Sequence, residues 1–325
     1  MNKIMNIKFG IIMDSISKIN IKKDSSFAIL LEAQKRKYTI YYMEINDLYL
    51  KNNQAYAKAK ILTVTNKVEK QHFHVIQEKH VALSIMHVIF MRKDPPINMQ
   101  FIYATYILEI AESAGVLVLN KPKSLRDCNE KLYTNWFPSL IPNTLVSSQI
   151  NQIKEFLHEN KDIILKPLNS MGGDSIFRLT ISDPNVSVVL EVMTKKNNNF
   201  CLAQTYIPEI KNGDKRIIII DGKAIPWCLT RIPKSGETRG NLAAGGLGKI
   251  EKLNEHDLKI TQRLSTTLNK KGLIFVGLDI IGNKLTEINV TSPTGICEIQ
   301  SEKNISITEL LLNAVEKKIY EKQKI

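Results

Sequence analysis

Apolar positions in the N-terminal third switch repeatedly between strand-like runs and helical spacing. Ile7 to Met13 is a short apolar run that predicts a first β-strand. Asp24, Ser25 and Ser26 offer N-cap side chains to a helix whose Phe27, Leu30 and Leu31 recur at helical spacing. Tyr38 to Met43, rich in aromatic and β-branched residues, predicts a second strand, and Val88 to Met91 a third, stopped by Asp94-Pro95-Pro96. Ala104, Ile107, Leu108 and Ala111 mark one face of a further helix, Gly115 ends it, and Val116 to Leu119 returns as a strand. Strands alternating with helices predict an open parallel sheet with helical crossovers. Residues 52–84 carry the weakest pattern.

A boundary falls near residues 120–130. Beyond it the pattern predicts a helix over Gln149 to His158, strands at Ile163 to Lys166, Ile217 to Ile220 and Phe275 to Ile281, and a closing helix from Ile307 to Glu321. There are no internal repeats. The stretch Val276 to Pro293 reads as a hairpin whose register decides its chemistry. A two-residue turn at Gly282-Asn283 pairs Ile281 with Lys284 and puts Asp279 and Glu287 on opposite faces. An odd loop pairs Asp279 with Glu287, gathers Leu278, Ile280, Ile288 and Val290 on an apolar face, and leaves Asp279, Glu287 and Asn289 together on the other. The alternation favours the odd loop.

Composition narrows the function classes. The 325 residues are 43% hydrophobic and 24% charged, as in ordinary globular proteins. No apolar run approaches the roughly 20 residues that span a bilayer. The N-terminal lysines Lys3 and Lys8 precede only the short run Phe9 to Met13, which ends at Asp14 and predicts a strand instead of a signal peptide. Cys128, Cys201, Cys228 and Cys297 are widely separated and form no metal or redox motif, which predicts reduced thiols and a cytoplasmic setting. The net charge of +13 suggests an anionic partner. The lysines are dispersed, however, and no basic stretch is interleaved with stacking aromatics, so nucleic acid is not the expected partner. His72, His74, His80 and His87 cluster in sequence without a carboxylate or thiolate at matching spacing and read as incidental surface residues.

Three further segments carry candidate chemistry. Lys166 ends a predicted strand beside a loop with Met171, Gly172 and Gly173. Such a loop lets backbone N–H groups approach phosphate oxygens while the ammonium supplies charge, and it does not match the Walker pattern. Cys201 to Pro208 is an apolar strand entering a proline turn, where backbone groups could read a planar base. Ile232 to Gly248 holds five of the chain's 15 glycines beside Arg231 and Arg239, and reads as an anion-clamping lid because Ala243 and Ala244 are not linker-like. In the hairpin, Asp279, Glu287 and Asn289 are the hard oxygen donors that Mg2+ prefers.

Taken together these segments resemble an ATP-grasp ligase, and more narrowly the prokaryotic glutathione synthetase family. The resemblance runs from about Met5 to Glu316. It is carried by Asn20-Ile-Lys-Lys-Asp-Ser-Ser-Phe27, Met91-Arg-Lys-Asp-Pro-Pro96, Phe101-Ile-Tyr-Ala-Thr-Tyr-Ile-Leu108, Asn120-Lys-Pro-Lys-Ser-Leu-Arg-Asp-Cys-Asn-Glu-Lys131, Gly213-Asp-Lys-Arg216, Gly236-Glu-Thr-Arg-Gly-Asn-Leu-Ala-Ala-Gly-Gly246 and Thr286-Glu-Ile-Asn-Val-Thr-Ser-Pro-Thr294. Met1 to Ile4 reads as an extension, with Met5 an alternative start. The sequence departs from the family at Asn169-Ser170, where Asp-Gly is usual, at Thr205, where Asn is common, and at Gly295 and Cys297, where Cys and Arg stand.

The resemblance implies an α/β protein with a Rossmann-like N-terminal substrate domain over residues 1–126. An ATP-grasp domain follows over 127–316, divided into 127–203 and 204–316 with the lid at 232–248, and then a helical tail over 317–325. It implies an ATP-dependent carboxylate–amine ligase that joins γ-glutamylcysteine to glycine through an acyl phosphate, using two Mg2+ ions (Mn2+ in their place), as a cytoplasmic homotetramer. Lys131, Lys166, Met171, Gly172 and Gly173 would hold the ATP phosphates. Main-chain groups of Gln204, Thr205, Tyr206 and Ile207 would read adenine, with Asp214 and Arg216 also in the ATP site. Asp279, Glu287 and Asn289 would bind the metals, and Arg92, Arg231, Arg239 and Ser292 would surround the reacting carboxylate. Two other readings compete: a related ligase extending a protein or another dipeptide, and a silent ATP-binding scaffold. Arg92-Lys-Asp-Pro-Pro96 and the long Gly-rich loop weigh against the first, and intact Lys166, Asp279 and Glu287 against the second.

Overall fold

In the computed structural model, which describes residues 6–66, 71–242 and 245–323, the N-terminal alternation becomes a seven-stranded sheet. Its elements are β1 (Lys8–Met13), α1 (Ser25–Lys35), β2 (Thr39–Met43), β3 (Leu48–Lys51), β4 (Gln54–Val64), β5 (Phe73–Ala82), β6 (Val88–Arg92), α2 (Met99–Ser113) and β7 (Leu117–Leu119). Of the three candidate caps for α1, Asp24 is the one used: its carboxylate accepts the Phe27 N–H at 2.7 Å. β2, β1, β6 and β7 lie parallel, as expected. The sheet as a whole is mixed, because β4 runs antiparallel to β2, β3 and β5. The weakly patterned stretch is therefore a long hairpin. Its inward positions Ala55, Ala57 and Ala59 are buried, and alanine is a poor strand signal. Of the four histidines, His74 and His80 are exposed as expected, whereas the half-buried His72 ring contacts the Ile16 carbonyl at 2.6 Å and half-buried His87 accepts the Lys8 N–H at 2.9 Å.

After α3 (Pro122–Asp127) comes a four-stranded antiparallel sheet, ordered β10-β9-β11-β8. It is built from β8 (Thr144–Ser147), α4 (Ile150–Asn160), β9 (Asp162–Pro167), β10 (Phe177–Thr180), α5 (Val186–Met193) and β11 (Cys201–Thr205). This unit packs its own core around Ile153, Leu165, Leu190 and Cys201.

A five-stranded antiparallel sheet, ordered β14-β13-β12-β15-β16, completes the fold. It comprises β12 (Asp214–Ile220), β13 (Lys223–Ile232), β14 (Leu247–Lys252), α6 (Glu255–Lys270), β15 (Phe275–Ile281) and β16 (Lys284–Asn289), followed by α7 (Ile296–Glu302) and α8 (Ile307–Gln323). Its core is continuous with that of the N-terminal sheet. Asn120, just past β7, rivets the two together. Its amide accepts the N–H groups of Ile274 and Phe275 at 2.8 and 3.0 Å and donates to the carbonyls of Phe275 and Val290 at 2.7 Å. Ala243 and Ala244 of the Gly-rich segment, and the alternative start at Met5, lie outside the described residues.

The β15–β16 hairpin corrects one expectation. The turn is the two-residue Gly282-Asn283 form, with Gly282 at φ 57°, and it pairs Ile281 with Lys284 and Ile280 with Leu285. A bulge then shifts the register, so that Asp279 faces Glu287 all the same. The extra residue is Thr286, whose hydroxyl donates to the Asp279 carbonyl at 3.1 Å. The odd residue that the alternation demanded is present, in the strand and not in the loop, where a bulge re-aims the side chains beyond it. Leu278, Ile280, Ile288 and Val290 are all fully buried on the apolar face.

Candidate active site

The separate core of the four-stranded unit leaves a cleft between it and the five-stranded sheet. Two adjoining cavities occupy this cleft, of about 770 and about 1080 Å³, each partly open to solvent. Alternation along β9 turns Lys166 and Ile164 toward the first. Register across to β11 sets Lys166 opposite Leu202 and Ile164 opposite Gln204, and the Lys166 ammonium donates to the Gln204 side-chain oxygen at 3.2 Å. Burial lowers the Lys166 pKa from its ordinary value, and Glu287 opposes the shift. Lys131 enters from the other side. Its ammonium lies 2.5 Å from the Ser170 carbonyl and 3.7 Å from Glu287.

Two glycine-bearing loops close over this cavity. Gly172 and Gly173 have φ of 68° and 84°, and a Cβ on Gly173 would stand 2.6 Å from the Asn241 side chain. Only glycine permits both the conformation and that approach. Arg239, paired with Glu237 at 2.7 Å, donates to the Gly173 carbonyl at 3.3 Å.

Beneath the loops lies a buried charge cluster. Asp279 accepts from Arg216 at 2.5 and 2.9 Å and from Arg231 at 2.9 Å. Arg231 also reaches Asp214 at 2.5 Å. Burial alone would raise the Asp279 pKa, but the two guanidiniums outweigh it and hold the carboxyl below the ordinary carboxylate range. Asp214 goes the other way, raised by burial and by the charge of Asp279 against the pull of Arg231. A carboxylate offers about four acceptor sites. Arg216 and Arg231 take three at Asp279, leaving one on a residue that lines the first cavity. With Glu287 opposite and Asn289 two residues along the same face, the donors are all hard oxygens, as a Mg2+ site requires.

The sequence-predicted residues divide between the two cavities. Lys131, Lys166, Met171, Gly172, Gly173, Gln204, Thr205, Tyr206, Ile207, Asp214, Arg239, Asp279 and Glu287 line the first. Arg216, Arg231, Asn289 and Ser292 line the second, with Met171 and Gly172 shared. Arg92 lines neither: it is buried against the Phe275 ring and donates to Ser26 and to the Pro293 carbonyl, both at 3.0 Å. It holds the loop that carries Ser292, whose hydroxyl in turn donates to Asp94.

Two family models match the chain: the prokaryotic glutathione synthetase N-terminal domain over residues 7–126 and the ATP-grasp domain of the same family over 130–304. The chain belongs to the prokaryotic glutathione synthetase family. It is 60% identical over 319 residues to the glutathione synthetase of Buchnera aphidicola subsp. Acyrthosiphon pisum, covering 98% of this chain and 99% of the relative. It is 56% identical over 313 residues to that of Escherichia coli K12, covering 96% and 99%. Among solved structures, D-cycloserine synthetase DcsG superposes with a TM-score of 0.67 at 11% identity, covering 96% of this chain and 99% of that one. D-alanyl-alanine synthetase A from Vibrio cholerae gives 0.59 at 12%, covering 98% and 100%. At such identities these two speak to the fold alone, and both share it end to end. The chain is an ATP-dependent ligase with a mixed α/β, ATP-grasp architecture.

Sequence reasoning missed several residues of this cleft. Ile164 and Ile281 line the first cavity, and period-two alternation from Lys166 and Asp279 would have found both. Asn241 lines both cavities, and Lys23, Glu130 and Glu298 the second. Asn241 belongs to the Gly-rich segment already singled out, whereas no local pattern marks Lys23, Glu130 and Glu298, which tertiary packing brings to the cleft.

Proposed function

We propose that the chain joins γ-L-glutamyl-L-cysteine to glycine at the expense of ATP, giving glutathione, ADP and phosphate. The observation that carries this reading is the adjacency of the two cavities at one oxygen-donor set, with Asp279 and Glu287 on the first cavity and Asn289 on the second. A nucleotide in the first cavity places its γ-phosphate where a carboxylate from the second can reach it. The family match over 7–126 and 130–304 supports a division into a substrate domain and an ATP-grasp domain near residue 126.

Lys131, Lys166 and the Met171–Gly173 loop bind the phosphates. The N–H groups of Thr205 and Tyr206 are already committed to the Asn143 and Asp162 carbonyls at 3.0 Å. Adenine reading therefore passes to the Tyr206 carbonyl and the Ile207 N–H, and Arg178 backs the Tyr206 ring at 3.7 Å. Asp279, Glu287 and Asn289 would hold two Mg2+ ions, with Mn2+ able to replace them, and the metal supplies charge neutralisation on the ATP phosphates. The cysteinyl carboxylate of γ-glutamylcysteine attacks the γ-phosphorus and ADP leaves. The glycine amine then attacks the acyl phosphate and inorganic phosphate departs. No protein nucleophile is needed. Arg231 and Arg239 stabilise the charge on the transferring phosphoryl group, and the lid at 232–248 excludes the water that would hydrolyse the acyl phosphate. Among the described residues no helix is long and apolar enough to cross a membrane. Family membership supports a cytoplasmic homotetramer.

Isotope transfer tests the mechanism. γ-Glutamylcysteine carrying oxygen-18 in its cysteinyl carboxylate is expected to give inorganic phosphate with one labelled oxygen per glutathione, read by mass spectrometry. Unlabelled phosphate would contradict the acyl-phosphate route.

A further inference from the structure

β16 is an edge strand. β15 covers one side of it, so its outward main-chain N–H groups need partners from elsewhere. The Leu140 carbonyl accepts the Leu285 N–H at 2.8 Å, and Glu130 serves the end of the strand and the two residues past it. The Glu130 main-chain oxygen accepts the Ile288 N–H at 2.8 Å. Its Oε1 accepts the Val290 N–H at 2.9 Å, the Thr291 N–H at 3.0 Å and the Thr291 hydroxyl at 2.8 Å. These four bonds bracket Asn289 on both sides, while the Asn289 amide donates to the Gly277 carbonyl at 3.2 Å.

Glu130 is itself firmly held. The Asn129 side-chain oxygen accepts the N–H groups of Lys131 and Leu132 at 3.2 and 2.9 Å, and its amide donates to the Leu168 carbonyl at 3.1 Å. Three consecutive residues thus join the loop before Ser170, the Glu287 carboxylate (through Lys131) and the main chain around Asn289. Burial raises the Glu130 pKa, and the bonds from Thr291 pull it back.

We propose that Glu130 is a positioning residue for the metal site: by clamping Ile288, Val290 and Thr291 it fixes where the Asn289 side chain presents its oxygen. This rests on reading Asp279, Glu287 and Asn289 as the metal-binding set. The clamp works through acceptor geometry, not through charge. Removing Oε1 lets the end of β16 drift, whereas a neutral amide oxygen at the same place preserves it.

The test uses the full-length chain with a non-hydrolysable ATP analogue and Mn2+ as the probe, free Mn2+ being counted by electron paramagnetic resonance. Loss of an outer partner of a metal ligand costs about 10–100-fold in affinity. Glu130→Ala is expected to weaken Mn2+ binding by about tenfold, at the lower end of that range, with binding of the analogue in EDTA unchanged. Glu130→Gln is expected to recover most of the loss. Thr291→Val, which removes only the hydroxyl bond, should weaken Mn2+ in the same direction by less, and it decides the matter if Glu130→Ala does not fold. Wild-type Mn2+ affinity in Glu130→Ala or Thr291→Val, or a Gln variant no better than Ala, overturns the proposal. A wild-type chain that binds no Mn2+ beside the analogue instead overturns the metal-site reading beneath it.

Discussion

Glu287→Gln is expected to leave the fold intact and lower metal-dependent turnover by about 100-fold or more, the scale of losing one stabiliser of transition-state charge. Glu287 stands on an edge strand, half-buried, with the Lys131 ammonium 3.7 Å away as its ion-pair partner. The substitution keeps size and shape and takes away a single charge at the cleft surface, so the melting temperature should move little. Its carboxylate has no structural duty comparable to that of Asp279. What it offers is a hard anionic oxygen facing Asp279 across the hairpin, and an amide is a far poorer ligand for Mg2+. Phosphate release measured beside a thermal melt checks this. A folded variant with wild-type turnover removes Glu287 from the site.

Asp279→Ala is expected to fail in a different way, by destabilising the protein. Asp279 is 3% exposed and is the shared counter-charge of Arg216 and Arg231. Its removal takes from Arg216 its buried carboxylate partner and leaves Arg231 with Asp214 alone, and breaking a buried pair costs about 3–5 kcal/mol. Because the Asp279 pKa is held below the ordinary range, its contribution is complete above the unfolded carboxyl value of about 3.9. It is lost only as pH falls through the lower folded value. The difference in stability between wild type and variant should therefore stay constant from neutral pH down to about 5 and shrink below about 4. Chemical denaturation of both proteins across that range checks the magnitude and the sign. A variant as stable as wild type would mean that Arg216 and Arg231 are satisfied without Asp279.

These two carboxylates also show how far the sequence was legible. Alternation in the two strands was enough to set Asp279 opposite Glu287, because four fully buried aliphatic residues flank them and fix the faces. It could not say where the odd residue went. A three-residue loop and a two-residue turn with a bulge give the same facing pair. The parallel strands of the N-terminal sheet were legible because Ile, Val and Phe mark them continuously. The β4–β5 hairpin was not, since three of the buried positions of β4 are alanines and β5 exposes Val75 and Ile76 among its polar residues. Lys131, Lys166 and the Gly172-Gly173 loop converge on one cavity, as the family resemblance implies. Arg92 stands behind the Ser292 loop, where its guanidinium meets the Phe275 ring and the Pro293 carbonyl. That burial depends on contacts between residues some 200 positions apart (the Arg92–Pro293 separation is 201), which no local pattern encodes. Glu130 was passed over for the same reason: its partners lie at the end of an edge strand and just past it, 158 to 161 positions on, 158 being the step from Glu130 to Ile288.

Glycine-dependent phosphate release is the most direct test of the central claim. Purified protein with ATP, Mg2+ and γ-glutamylcysteine is expected to release phosphate rapidly only when glycine is added, with one glutathione formed per phosphate. Release that ignores glycine, or that requires a different acceptor, would contradict the account.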